Sequence, residues 1–343
     1  GDLEVTNANN ITRITVFDAC GGIELSCFSG NSTVFGLAGG VTYYLRAARR
    51  AEFANEDPFD IQALPAPLPT CTTTTEWISG AWDNGTPDLS TNVIIRSAYD
   101  TATHGSFSAC SVSVDSGITL RVNSGDYVEV AYDINVVGVL DISHEGSLVQ
   151  RDDAAITTNN GTIRVRKTTP FLKPRDFMIM GSPVSGETRE DVYDSAFLVL
   201  AHTTGNFVPN ADVATAFPSA ENFADDNGDF WNPHSGSLTI GEGYLVRPQA
   251  NYLDGNKTYD LTYTEGSLNN GIVTVPLLFN TTQNDSPNVL GNPYASAISA
   301  DDFINANPEV ETLYFWEHLT PPSPSLPGAG SMNFSMEDIS MYN

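Results

Sequence analysis

Three stretches of the chain repeat one pattern: Gly117-Ile-Thr-Leu-Arg-Val122, Gly138-Val-Leu-Asp-Ile142 and Gly161-Thr-Ile-Arg-Val165. The glycines lie 21 and 23 residues apart. Eight residues after each of the first two comes a second glycine opening another alternating stretch, Gly125-Asp-Tyr-Val-Glu-Val130 and Gly146-Ser-Leu-Val-Gln150. A period near 20 residues with two short strands per period describes a chain that coils into stacked β rungs. Each rung then buries its inward residues only against its neighbours.

Alignment of the units on Leu120, Leu140 and Ile163 predicts an inward aliphatic stack, with Val122, Ile142 and Val165 forming a second. Between them, facing out, fall Arg121, Asp141 and Arg164. Parallel neighbours about 4.8 Å apart would set these opposite charges side by side. Coincidence among common β residues is the alternative, and the charge order favours the stack.

The flanks read differently. Residues 1–64 carry alternating segments around Ile11, Ile14 and Val16, then Val41, Tyr43 and Leu45, then Phe59 to Ala63. That is the pattern of a partial β-sandwich. Residues 65–70 are proline-rich and read as a semi-rigid extended linker. Residues 71–170 hold the short β-solenoid-like repeat domain, and 171–343 a β-rich domain with long polar loops. In the last, Asn269-Asn-Gly271 before Ile-Val-Thr-Val275 signals a hairpin. Gly241 to Val246 and Leu313 to Trp316 read as buried strands. Ser299 to Asn307 reads as a short helix with Ser299 as its N-cap. The fold class expected is all-β.

The chain has 42 acidic and 15 basic residues, a formal charge of −27. That balance opposes non-specific binding to nucleic acid or an anionic membrane. Eight of the basic residues cluster, as Arg46, Arg49 and Arg50, and as Arg164, Arg166, Lys167, Lys173 and Arg175. The second cluster is expected to dock the acidic third domain, with an anionic glycan as the other reading. No apolar run approaches the ~18 residues of a membrane span. No signal peptide precedes Gly1, so a mature chain or a fragment of one is expected. Four cysteines without Cys-x-x-Cys spacing suit two ordinary bridges in an oxidising compartment. The expected pairs are Cys20–Cys27, across a short glycine-containing stretch, and Cys71–Cys110, stapling the entry of the repeats to their first rung.

Catalytic signatures are missing: there is no Gly-x-Ser-x-Gly elbow, P-loop or His-Glu-x-x-His, and Gly241-Glu-Gly243 lacks the third glycine of a dinucleotide fingerprint. The five histidines, His104, His144, His202, His234 and His318, are widely spaced. Adjacent acids such as Asp152-Asp153 and Asp301-Asp302 arise easily in so acidic a chain. Asp225, Asn227 and Asp229 alternate oxygen side chains around a turn glycine, a pattern a hard cation such as Ca²⁺ accepts. The loop departs from the EF-hand at Phe230 and Gly236, so a plain acidic turn stands beside the Ca²⁺ reading.

Trp77-Ile-Ser-Gly-Ala-Trp-Asp-Asn-Gly-Thr-Pro87, Gly146-Ser-Leu-Val-Gln150, Gly181-Ser-Pro-Val184 and Gly291-Asn-Pro-Tyr-Ala-Ser-Ala-Ile298 together resemble large secreted surface proteins of Bacteroidota exported by the type nine secretion system. The resemblance covers about residues 71–343. Residues 14–63, with Cys20, Cys27 and Gly36-Leu-Ala-Gly-Gly-Val-Thr-Tyr-Tyr44, resemble the second half of a pre-peptidase C-terminal-like β domain. The resemblance implies a secreted, cell-surface protein with an adhesive role. Its implied partners are surface glycan, other surface modules and the secretion machinery, without nucleic acid or membrane insertion. Asp100-Thr101-Ala102 and Asp194-Ser195-Ala196 are similar to the O-glycosylation signal of that phylum, which makes Thr101 and Ser195 candidate modification sites. The expected function is non-catalytic, structural or adhesive. The alternative is a polysaccharide-active enzyme or its carbohydrate-binding accessory module, because parallel β-helices also host lyases. A lyase would need carboxylates and a base converging on one rung face.

Overall fold

The computed structural model describes residues 2–8, 13–35, 37, 42–48, 59–64, 68–208, 230–279, 287–310, 312–316, 319–326, 332–335 and 338–342. They divide into two compact units, Gly1–Leu68 and Pro69–Asn343. The whole is all-β, with a solenoid of about five turns in the middle.

The first unit contains β1 (Asp2–Thr6), β2 (Arg13–Phe17), β3 (Glu24–Ser29), β4 (Ser32–Val34), β5 (Tyr44–Ala48) and β6 (Asp60–Leu64). They make two three-stranded antiparallel sheets, ordered β4-β1-β6 and β3-β2-β5. Val5, Val34, Ile14 and Val16 are the buried aliphatics. Among the described residues Cys20 and Cys27 are free thiols, so the expected bridge between them is not formed. The reason is local: Cys27 sits in β3 opposite Thr15, and its Sγ meets Arg13 Nε at 2.8 Å and Thr15 Oγ1 at 3.4 Å. Cys20 lies exposed in the turn that follows β2.

The second unit opens with β7 (Thr73–Ile78) and β8 (Ala81–Trp82), followed by the coils. Their strands are β9 (Thr91–Ile95), β10 (Tyr99–Asp100) and β11 (Phe107–Ala109); β12 (Ser111–Val114), β13 (Thr119–Val122) and β14 (Tyr127–Val130); β15 (Ile134–Val136), β16 (Val139–Ile142) and β17 (Ser147–Gln150); then β18 (Thr157–Asn159) and β19 (Thr162–Thr168). Each full coil thus has three strands, where the sequence pattern suggests two. They stack in parallel as three faces: β10-β13-β16-β19, β11-β14-β17, and β18-β15-β12-β9-β7. The extra face escapes the sequence because β15 and β18 span only three residues each and no glycine opens them.

The expected ladder is present. Leu120, Leu140 and Ile163 pair in register, as do Val122, Ile142 and Val165, and all six are fully buried. Tyr99 heads the first row above Leu120. The repeat glycines serve two different ends. Gly117 takes a left-handed φ of 75°, with open space where a side chain would go. At Gly138 a Cβ would strike the carbonyl oxygens of Asp115 and Ile118, and at Gly161 that of Gly138, so these two let successive coils approach backbone to backbone.

Aromatic residues close the first coil. Trp77, Trp82, Tyr99 and Phe107 pack edge to face with centroids 4.8–5.6 Å apart. The Tyr99 hydroxyl donates to the Gly105 carbonyl at 2.8 Å, and burial pushes its pKa up to about 12. A Cys71–Cys110 disulfide ties the segment leading into β7 to the residue just before β12, as expected.

At the far end, β19 is joined antiparallel by β24 (Asp260–Tyr263), so a strand from beyond residue 171 completes a solenoid sheet. The core runs without a break from Trp77 to Ala295, and residue 170 marks no division in the packing. The remaining strands are β20 (Met178–Met180), β21 (Leu198–His202), β22 (Trp231–Pro233), β23 (Tyr244–Arg247), β25 (Leu313–Trp316) and β26 (Ile339–Tyr342). The first four form an antiparallel sheet ordered β20-β23-β21-β22, with β23 buried at its centre as expected. A helix spans Ala300–Ala306, and Ser299 Oγ accepts the Asp302 amide at 3.2 Å as its N-cap.

Two expectations fail here. Leu313 to Trp316 is a strand, but among the described residues it pairs only with β26, and Tyr314 and Phe315 are exposed. Asn269-Asn270-Gly271 makes no hairpin. The Asn270 amide donates to the carbonyls of Asp152 and Ala155, and the Asn269 amide to those of Ser182 and Pro293. Those bonds fasten the segment to its neighbours, and Ile272 to Phe279 run on without strand pairing.

Candidate functional site

The outward row on the β10-β13-β16-β19 face runs Asp100, Arg121, Asp141, Arg164 in register. Its signs alternate as the sequence suggests, but Asp141 does not face solvent: its side chain is 3% exposed. Arg166, two residues beyond Arg164 on the same face of β19, reaches back to it. Arg166 Nε lies 2.6 Å from Asp141 Oδ1 and its terminal nitrogen 3.1 Å from Oδ2, while Arg121 reaches Oδ2 at 3.2 Å. Burial pushes the carboxyl pKa up, and the two guanidiniums more than offset this, leaving it below the ordinary value. Arg166 therefore turns back into the solenoid. The junction with the third region is made by strand pairing of β19 with β24 and by a 2.7 Å bond from Thr168 to Asp260.

A cleft of about 180 Å³ opens where β17 meets the loops at 268–271 and 294–296. Its walls are mostly engaged in holding the seam. Leu148 donates its amide to Ala295, Tyr294 its hydroxyl to the Gly271 carbonyl at 2.7 Å, and Gln150 its amide to Tyr132 and Ile156. Asp153 is the cleft's one carboxylate.

A buried acid lies nearby in the fold. Glu187 is 1% exposed and accepts the Thr264 and Glu265 amides through one oxygen, at 2.8 and 3.3 Å. Its other oxygen is buried without a hydrogen-bond partner. Burial raises its pKa above the ordinary value, against the pull of those amides. The buried hydroxyls of Tyr193 and Tyr263 hydrogen-bond to one another at 2.6 Å, and both groups titrate well above the usual range, chiefly through burial.

Arginine and aromatic residues gather at the turn before β20 and the loop after β23. The Arg247 guanidinium carbon lies 5.3 Å from the Tyr252 ring centroid and 5.9 Å from that of Phe177. That of Arg175 lies 5.5 Å from the same Tyr252 ring. Neither arginine has an ion pair among the described residues, and Arg247 Nε is buried without a hydrogen-bond partner. Gln249 donates to the carbonyls of Asp176 and Lys173 at 2.7 and 3.3 Å, which fixes the turn carrying Arg175. No sequence signal joined Arg175 to Arg247; only the meeting of a turn with the end of β23 does.

The remaining sequence candidates fare unevenly. Asp225, Asn227 and Asp229 lie outside the described residues. Thr101 is 2% exposed: its hydroxyl donates to Asp126 at 2.8 Å and accepts the Asn123 amide at 2.9 Å. Ser195 is exposed in a turn. Among the described residues no group of three or more His, Cys, Asp or Glu side chains is placed to hold a metal ion. No helix of the described residues is long and apolar enough to cross a membrane.

Two family models match the chain. One, described as a domain of unknown function, covers residues 70–343. The other, a galactose-binding-domain-like module associated with the type nine secretion system, covers residues 1–61. No curated protein and no solved structure matches.

Proposed function

We propose, for a chain that belongs across residues 70–343 to the family described as "Domain of unknown function (DUF8693)", a non-catalytic structural and adhesive role on the outside of the cell. The secretion-associated module at residues 1–61 and the Cys71–Cys110 bridge support export to an oxidising exterior. The observation that carries the non-catalytic reading is Asp141. Of the acids that meet an arginine on the solenoid faces it is the buried one, covered by two arginines and used to tie three coils. Glu76 and Asp115 beside Arg96, and Glu129 beside Arg151, are engaged in ion pairs of 2.5–2.9 Å. A lyase needs its base open to a substrate groove.

Surface glycans or neighbouring surface modules are the partners that fit, bound through area and repetition rather than a deep pocket. A Bacteroidota source, a pre-peptidase-like ancestry for the first module, glycosylation at Ser195 and Ca²⁺ in the Asp225–Asp229 loop belong to the same proposal. The test is turnover by the purified chain on a panel of acidic and neutral polysaccharides, with and without Ca²⁺. Binding without product release is the expected result. Product release that disappears on replacing one Asp or Glu would establish the enzyme instead.

A further inference from the structure

In a chain of net charge −27, two arginines set beside one tyrosine ring with no ion pair among the described residues are out of place. Neither nearby carboxylate pairs with them, although Asp176 supplies Arg247 with part of its counter-charge. Asp176 is buried and accepts the Lys173 amide at 2.7 Å, and Asp254 lies 3.6 Å from Lys257. Arg175 holds a left-handed φ of 76°, which residues other than glycine rarely adopt. Its turn is bound from below by Gln249 and crowded from the side by Gly255, where a Cβ would meet Pro174 N at 2.5 Å. Both residues are half-buried, and the Arg247 cation is disfavoured by burial and by the charge of Arg175. Exposed surface next to them is aromatic and apolar: Tyr252, Phe197 against it at 4.4 Å, and Leu253.

We propose that Arg175 and Arg247 form a receptor for an oxyanion, carboxylate or sulfate, carried by an acidic saccharide that rests beside Tyr252. An anion placed between the two forks supplies the counter-charge that no ion pair provides among the described residues. Guanidinium geometry matches planar and tetrahedral oxyanions through paired N–H donors. The saccharide carrier rests on the extracellular reading above; the anion contact does not.

The experiment is calorimetric titration of the full chain with galacturonate oligomers, sulfated galactan oligomers, neutral galactan oligomers of the same length, and sodium sulfate. An acidic oligomer should bind saturably, at least about tenfold tighter than the neutral one or the free ion, and more weakly as salt rises. Which acidic oligomer binds tighter separates carboxylate from sulfate. Arg247→Gln and Arg175→Gln should each weaken binding at least about tenfold, while Lys257→Gln leaves it unchanged. Thermal melts check folding, and Arg175, on a turn, provides the variant less able to disturb the core.

Equal affinity for neutral oligomers, no saturable binding, or binding indifferent to both arginines overturns the site. Sulfate ion bound as tightly as any oligomer overturns the saccharide. Arginine-dependent binding accompanied by turnover would remove the non-catalytic role and leave the site standing. Loss of binding without turnover would do the reverse.

Discussion

Arg166 Nε donates to Asp141 Oδ1 at 2.6 Å, although the residue in register with Asp141 is Arg164. The arginine two positions along has the longer diagonal to cross and lands flat on the carboxylate, leaving both Asp141 oxygens engaged. Removing the acid strands two guanidiniums, both partly in water. Asp141→Ala should therefore cost about 2 kcal/mol, less than a wholly buried pair. The carboxyl titrates below its ordinary value in the folded chain. Its contribution is thus complete above the unfolded value of about 4 and lost as pH falls through the folded value. Denaturant unfolding at neutral and acid pH should show Asp141→Asn losing part of the parent's acid sensitivity.

Glu187 should behave with the opposite sign. Its folded pKa is raised, so stability is greatest below the unfolded value of about 4.3 and declines as pH climbs through the folded one. Glu187→Gln keeps an oxygen for the Thr264 and Glu265 amides and carries no charge. Measured by thermal midpoint, the variant should gain on the parent as pH rises from acid to neutral. A gap that stays constant across that range would show that the acid's ionisation does not matter.

The repeat glycines should separate by mechanism. Gly138→Ala pushes a methyl group into the Asp115 and Ile118 carbonyls of the coil before it, and should cost about 2–3 kcal/mol or prevent folding. Gly125→Ala meets open space and carries only the conformational cost of its φ of 79°, about 1–2 kcal/mol. Equal losses in a chevron or equilibrium melt would refute the division.

For glycosylation, mass spectrometry of exported material should find Ser195 modified and Thr101 bare. Thr101→Ala should instead destabilise the second coil by about 1–2 kcal/mol, through the lost bonds to Asp126 and the Asn123 amide.

The inward rows were legible because alternation leaves no choice of face once Leu120, Leu140 and Ile163 are aligned. The third face was not. Within the repeats its strands β12, β15 and β18 offer two inward side chains at most, and in β18 one of these is Thr157. Arg164 and Arg166 share a face, so spacing alone could not say which would hold Asp141. Asn269-Asn270-Gly271 carries the residues of a tight turn, and what redirects it is a set of carbonyls left by Asp152, Ala155, Ser182 and Pro293. The Arg175 and Arg247 pair depends on a turn and a strand end with no shared pattern. Close-packed repetition writes itself into a sequence, whereas contacts between unlike segments do not.

Because Cys71 and Cys110 are covalently joined, a pulling force that enters the second unit from its N-terminal side passes straight from one sulfur to the other. The 39-residue separation they bridge corresponds to roughly 130 Å of extended chain that tension cannot draw out while the bond lasts. The aromatic cap and the first coil are thereby bypassed by the load, and the first hydrogen bonds to feel it belong to the strand that begins at Ser111. The disulfide thus acts less as a staple than as a mechanical fuse set to the reducing power of the surroundings.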